Sequence, residues 1–279
     1  MKSILLGKYI DRLASLNDQL CFFQFNRNEL NKRLLEFGPK VGNLFTPDVF
    51  AQNSMSTRIN VKISDLPTFQ NLNQTFTFGA YLSTSYEVVS YYIKDSLELL
   101  NLINPATFQL TDNRQLEEMY RLTLISSNCT VVPIEIIQTL KYIRLRRNHF
   151  THLGHEVSEH FKNLITQSGN NLNTFWSAAI TKLDFTSLDV LTFKEEETID
   201  LLKILRIIVQ TLDENLASNF SHDGIATFLS NQEFPKPQRI NIDVVQKRIN
   251  KIQAIGKIKF GINLSENTIE PVVKTIGVK

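Results

Sequence analysis

Cysteine is nearly absent: two thiols, Cys21 and Cys129, occur in 279 residues, and neither has a partner at metal-like spacing. A disulfide-stapled scaffold is excluded, and both thiols are read as reduced packing residues. Long apolar runs are missing too. No stretch approaches the roughly 18–20 residues that cross a bilayer, and Lys8, Asp11 and Arg12 break the apolar start before a signal-peptide core forms. A cytoplasmic location without membrane contact is therefore expected, and the sequons at Asn73, Asn128, Asn219 and Asn263 carry little meaning. An excess of one charge is absent as well, since 30 basic residues face 28 acidic ones. The net charge of +2 does not by itself announce a nucleic-acid partner. Ten glycines and eight prolines exclude a collagen-like chain, and the composition excludes wholesale disorder. There is no internal repeat, RNP-like strand, zinc-finger spacing, glycine-rich phosphate loop or helix-turn-helix signature.

What is present is apolar residue at helical spacing, 42% of the chain being hydrophobic, with 19 scattered phenylalanines as payload for cores and interfaces. Residues 9–37 read as helix through Ile10, Leu13, Leu16, Leu20 and Phe23, and Gly38-Pro39 stops it. Residues 40–74, rich in Asn, Thr, Ser and Pro, read as a long connection or a wrapped segment. From Phe76 a helical stripe runs through Leu82, Tyr86, Val89, Ile93, Leu97, Leu100 and Ile103, ending at Asn104-Pro105. Further helices are expected over 113–126, from Ile134 to His152 after Pro133, and over 155–167. Residues 170–183 are ambiguous. The last strong helix covers 195–219, opening on Glu195, Glu196 and Glu197 at its positive end. Its stripe is Leu202, Leu205, Val209, Leu212 and Leu216, and the extra apolar positions Leu201, Ile204, Ile207 and Ile208 suit a central helix or one buried in a dimer.

The expected architecture is all-α. It comprises an N-terminal helical and irregular extension (1–75), a helical bundle (76–220) and a basic C-terminal appendage (236–279). The last segment carries nine Lys or Arg against three Asp or Glu, a local net of +6, which leaves the remainder near −4. An amphipathic helix is expected over 243–258, followed by less regular sequence. Such a split fits a solvated appendage docking on an acidic body, or attraction to a phosphate backbone.

Chemistry concentrates in one segment. His149, His152, His155 and His160 are four of the five histidines, and they follow Lys141, Arg144, Arg146 and Arg147. The apolar face Ile136, Leu140, Ile143 steps next onto Arg147, placing a guanidinium where the stripe predicts leucine. Burying that charge is costly unless it is paired. It is met either by a phosphate in a groove or interface, or by snorkelling at the helix end.

Arg147-Asn148-His149-Phe150-Thr151-His152 resembles the signature of the HEPN superfamily of all-helical domains: an arginine, a polar residue, and a histidine after four to six positions. The match falls on Arg147, Asn148 and His152, late on a bundle helix, with residues 76–220 covered and the two flanking segments outside it. The resemblance implies an endoribonuclease that needs no metal or cofactor. It also implies a homodimer whose motifs face each other, and an antitoxin or other regulatory protein in toxin–antitoxin or antiviral defence. His152 would then transfer protons near neutral pH. Arg147 would hold the phosphate and the charge developing on it, and Asn148 would orient the histidine or the strand. Arg144, Arg146 and His149 are expected to contact RNA.

On an ideal helix Arg147 and His152 diverge by about 140°, whereas Asn148 and His152 share a face, so the arginine must reach round or the helix must distort before Gly154. His149, His152, His155 and Glu156 also have spacing for a metal, yet no cysteine or distant histidine-rich segment completes a site. Glu87, Asp95, Glu98 and Glu135 are candidate tuning carboxylates, with exposed charge as the plainer role. Tyr86, Tyr91 and Tyr92 have the reach to line a groove, with packing as the default. The alternative function is a catalytically inactive helical module that binds RNA or protein.

Overall fold

A computed structural model describes residues 1–151, 156–236 and 239–276. Eleven α-helices and no strand occur among them, so the chain is all-α. They are α1 (Leu6–Phe37), α2 (Thr46–Val49), α3 (Ser56–Ile59), α4 (Leu66–Ile103), α5 (Leu116–Ser126), α6 (Ile134–Thr151), α7 (Glu159–Trp176), α8 (Glu195–Ser218), α9 (His222–Glu233), α10 (Ile242–Phe260) and α11 (Glu266–Val273). None of the described helices is long and apolar enough to cross a membrane. The chain divides into two compact units. The first comprises Met1–Arg12, Tyr86–Arg144 and Ile204–Lys279; the second comprises Leu13–Ser85 and Leu145–Lys203.

The first unit is built on the stripes read from sequence. Tyr86, Val89, Ile93, Leu97, Leu100 and Ile103 of α4 are all buried, as are Leu205, Val209, Leu212 and Leu216 of α8. Of the additional apolar positions of α8, Leu201, Ile204 and Ile208 are buried in the chain's own core and Ile207 is half-buried. Asp213 is buried on α8 and satisfied by hydrogen bonds. It accepts from the Ser3 backbone N–H at 2.9 Å, from the Ser3 hydroxyl, and from the Tyr92 hydroxyl at 3.1 Å. The Lys2 N–H reaches the Phe260 carbonyl at 3.0 Å, so the first residues are tied into the unit.

The basic segment expected as an appendage folds as α10 and α11, with a second helix where less regular sequence was expected. Asn241 and Ser265 cap these helices by accepting from Val244 and Thr268. Ile249, Ile252, Phe260, Ile269 and Val273 are buried. Arg248 is buried with them, donating to the Val273 and Ile276 carbonyls and lying 4.5 Å from the Phe234 ring centroid. One basic residue of this segment is therefore structural.

The second unit holds the surprises. α4 begins at Leu66, ten residues before the clear helical pattern. The pattern there is inverted: Phe69, Leu72 and Phe76 are exposed, while Gln70 and Gln74 are half-buried. An amphipathic reading fails on such a helix, and tertiary packing overrides it. Residues 40–65 are not a structureless connection either, since α2, α3 and two short 3-10 turns occupy them. α7, capped by Ser158 at the Phe161 N–H, runs on to Trp176 through part of the ambiguous 170–183 stretch. Of the two free cysteines, Cys129 is half-buried and Cys21 is exposed, so only Cys129 packs as expected.

Irregular residues 177–194 are held by two acids. Asp200 accepts backbone N–H bonds from Thr181, Lys182 and Leu183 at 2.7–2.9 Å. Asp184 accepts from the Thr186 N–H and from the Asn173 amide. At Gly169 a Cβ would lie 2.7 Å from the Phe185 carbonyl oxygen, so glycine allows this stretch to lie on α7.

Candidate functional site

Residues 147–151 of the sequence motif lie on the last turn of α6. Ile136, Leu140 and Ile143 are buried as the stripe requires, but the wholly buried guanidinium that follows belongs to Arg146 rather than Arg147. The reason is a second buried ridge, Thr139, Tyr142 and Arg146, spaced by three and four. Arg146 Nη1 meets Glu197 Oε1 at 2.8 Å, Nε donates to the Val190 carbonyl at 3.1 Å, and Nη2 donates to the Thr192 carbonyl at 3.3 Å. The guanidinium also sits 4.8 Å from the Phe193 ring centroid. Arg146 has no surface left for the RNA contact expected of it.

Arg144, expected beside it as an RNA contact, is engaged in the first unit. Its Nε donates to Glu117 Oε1 at 2.8 Å, and the Glu117 side chain is almost wholly buried. Glu117 and Arg144 make a one-pronged pair, since Glu117 Oε2 and Arg144 Nη2 are buried without partners. Nearby Tyr86 is pushed up to about 12, first by burial and then by the Glu117 charge. Tyr86 and Tyr92 are buried core residues, whereas Tyr91 is exposed. Asp95 is occupied by Lys8 at 3.1 Å and by the Tyr9 hydroxyl, a role that the sequence did not signal.

Arg147 and Asn148 are brought together. Both are half-buried, and Arg147 Nη1 donates to Asn148 Oδ1 at 3.1 Å. The Thr151 hydroxyl donates to the Arg147 carbonyl at 3.0 Å, closing the last turn. His149 is half-buried; its Nε2 is buried without a partner, and burial lowers its pKa below the ordinary 6.5. His160 is exposed at the start of α7. His152 and His155 lie outside the described residues, as does Gly154.

Phe150 positions this end of α6. Its ring lies 5.5 Å from that of Phe193 and 6.3 Å from that of Phe76, and packs on Gly79 of α4, where a Cβ would overlap it. Gly79 thus allows the two helices to approach at this point. In the sequence Phe150 stands only as an unassigned position of the motif, and for Gly79 a lone glycine inside a helical pattern is the available signal.

This turn carries a guanidinium, a carboxamide and an imidazole whose charged form is disfavoured by burial. Such groups suit the binding of a phosphodiester and the movement of a proton. No group of three or more His, Cys, Asp or Glu among the described residues is placed to hold a metal ion. Comparison of the chain with protein-family models, with curated proteins and with solved structures finds no match.

Proposed function

We propose that the protein is an endoribonuclease that cleaves RNA without a metal ion, by attack of a ribose 2′-hydroxyl on the adjacent phosphorus. The observation that carries this reading is the bonded, half-buried Arg147–Asn148 pair on the last turn of α6, five and four residues ahead of His152 in sequence. In this scheme the 2′-hydroxyl loses its proton to an imidazole as its oxygen bonds phosphorus. The bond to the 5′-oxygen breaks, and that oxygen takes a proton from a second, protonated imidazole, leaving a 2′,3′-cyclic phosphate and a 5′-hydroxyl. His152 supplies one imidazole, and the same residue of a second copy supplies the other. Arg147 donates to the phosphate oxygens as charge accumulates on them, and Asn148 holds the guanidinium in place. His149 contributes an RNA contact.

A homodimer and an inhibitory protein partner in toxin–antitoxin or phage defence belong to this same reading. The alternative, an inactive helical module that binds RNA or protein, draws on a different observation. Arg144 and Arg146 serve ion pairs within the fold, so most of the arginine cluster is accounted for without RNA.

The test is incubation of purified full-length chain with labelled single-stranded RNA in excess EDTA, with product ends analysed for cyclic phosphate. His152→Ala is expected to abolish cleavage while leaving RNA binding largely intact. Arg147→Ala is expected to lose turnover and part of the affinity, and His149→Ala to keep substantial activity. Untouched RNA, or a His152 variant that cuts as fast as wild type, makes the binding module the better reading. Activity lost with EDTA and restored by zinc or manganese points instead to the histidines as metal ligands.

A further inference from the structure

Three large apolar side chains stand in water on one face of α4, in the second unit. Phe69, Leu72 and Phe76 are 47%, 66% and 68% exposed, and at about 100° per residue they fall within about 60° of one another. α1 lies along the other side of this stretch. There Phe23 meets Phe78 edge-on at 6.0 Å, Arg27 donates to the Asn71 amide oxygen at 3.3 Å, and Gln70 and Gln74 are half-buried. Polar residues thus face inward and apolar ones outward. Single exposed apolar residues are ordinary, but three large ones in line over two turns make a patch of the kind that partners cover.

The stripe is continuous with packing inside the fold. Gly79 lies on the same line of α4, and there the Phe150 ring at the end of α6 covers it. Phe76 touches that ring at 6.3 Å, and the turns of α4 ahead of it are left open. Residues 66–86 contain no charged side chain, so the open part has no ionised flank. The outward line of α1 differs. Its exposed Phe22 and Phe25 run on to Glu29, Lys32 and Glu36.

We propose that the Phe69–Leu72–Phe76 stripe is a docking surface for a second copy of the chain, each copy laying this face of α4 on the other about a two-fold axis. A two-fold contact sets a surface against itself, so any charge on it tends to meet its like. An uncharged stripe meets that condition without cost. The area is also sufficient. With large apolar side chains of about 200 Å² each, the three expose about 350 Å² per copy. At the roughly 65% apolar share of homodimer interfaces, two copies would bury about 1,100 Å² in all, above the roughly 1,000 Å² a specific interface needs. The inference gives a surface to the dimer of the proposed function, and it rests on the stripe alone.

The experiment measures the mass of the full chain by light scattering after size exclusion, over a wide range of concentration. Twice 32.1 kDa is expected for wild type at the upper end. Leu72→Glu and Phe69→Glu set like charges against each other and should return the mass to 32.1 kDa, with the helical circular dichroism signal unchanged. Phe25→Glu, on the outward line of α1, should remain dimeric. Should a glutamate variant melt early, Leu72→Asn gives the same test, with dissociation made easier by about tenfold or more. A wild-type mass of 32.1 kDa throughout, or a folded Leu72→Glu chain that keeps the doubled mass, overturns the proposal. So does dissociation by Phe25→Glu alone. A dimer that responds to Leu72→Glu but leaves RNA uncut upholds the surface and removes the nuclease reading, whereas RNA cleavage by a chain indifferent to Leu72→Glu does the reverse.

Discussion

Arg146 meets Glu197 at 2.8 Å from a position with no solvent exposure, joining α6 to the start of α8 within the second unit. The same guanidinium satisfies the carbonyls of Val190 and Thr192, so one side chain fastens the irregular stretch ahead of α8. Glu197→Met leaves a buried cation uncompensated and is expected to destabilise the fold by about 3–5 kcal/mol. Arg146→Met with Glu197→Met removes both charges and should cost much less than the sum of the single changes. Urea denaturation of the four proteins checks this, and a purely additive result refutes the coupling.

The contact between Gly79 and Phe150 makes an opposite prediction about a substitution that helix propensity favours. Alanine at a helix interior is ordinarily more stable than glycine by about 0.5–1 kcal/mol. Here the added Cβ overlaps the Phe150 ring, so Gly79→Ala is expected to destabilise by about 1–3 kcal/mol. In a Phe150→Leu background the penalty should shrink. If the two substitutions add without coupling, the contact is not what constrains position 79.

Asp200 should govern part of the acid limb of stability. Burial disfavours its charge, but the N–H groups of Lys182, Leu183 and Thr181 outweigh that and hold the carboxyl below its ordinary 3.8. A carboxyl lowered on folding contributes stability above its unfolded value, and that stability is lost as pH falls through the folded value. Asp200→Asn is expected to cost about 1–3 kcal/mol at neutral pH and much less once the native carboxyl is protonated. Denaturation at neutral and strongly acid pH distinguishes this from a simple packing defect, whose cost does not change with pH.

His149 has the reverse dependence from the one a paired histidine shows. Burial lowers its pKa, so the unfolded chain binds the proton more readily. Stability should therefore fall as pH drops through the ordinary value of 6.5, and the loss should level off below the folded value. His149→Gln removes this component of the slope. Nuclear magnetic resonance titration of the ring Cε1–H reads the same quantity directly, and a midpoint at or above 6.5 contradicts the burial argument.

The helices were legible wherever apolar residues recur on the buried side, as from Leu82 to Ile103 and from Leu202 to Leu216. They were illegible where the pattern is turned outward. Phe69, Leu72 and Phe76 face solvent at the start of α4, and its uncharged Asn, Gln and Thr residues resemble a loop in composition. On α6 the spacing located the arginine-rich end but assigned the deepest burial one residue late. A stripe followed in steps of four passes over the Thr139–Tyr142–Arg146 ridge. The Arg147–Asn148 pairing follows from neighbouring positions on one turn, whereas the partners of Arg144 and Arg146 lie 27 and 51 residues away and leave no local signal. The approach of α1 to α4 is equally silent in sequence, since the contacting residues Arg27 and Asn71 are 44 positions apart.

Ser3 and Asp213, hydrogen-bonded to each other, are separated by 210 residues of chain. During synthesis the first residues emerge long before their carboxylate partner exists, and Lys2 waits longer still for Phe260. The first unit cannot close until α10 has left the ribosome, so its early helices stay without their final core until then. Contacts of such sequence separation slow folding and prolong exposure of apolar surface. Truncation just before α8 should accordingly yield an aggregation-prone nascent chain rather than a smaller stable protein.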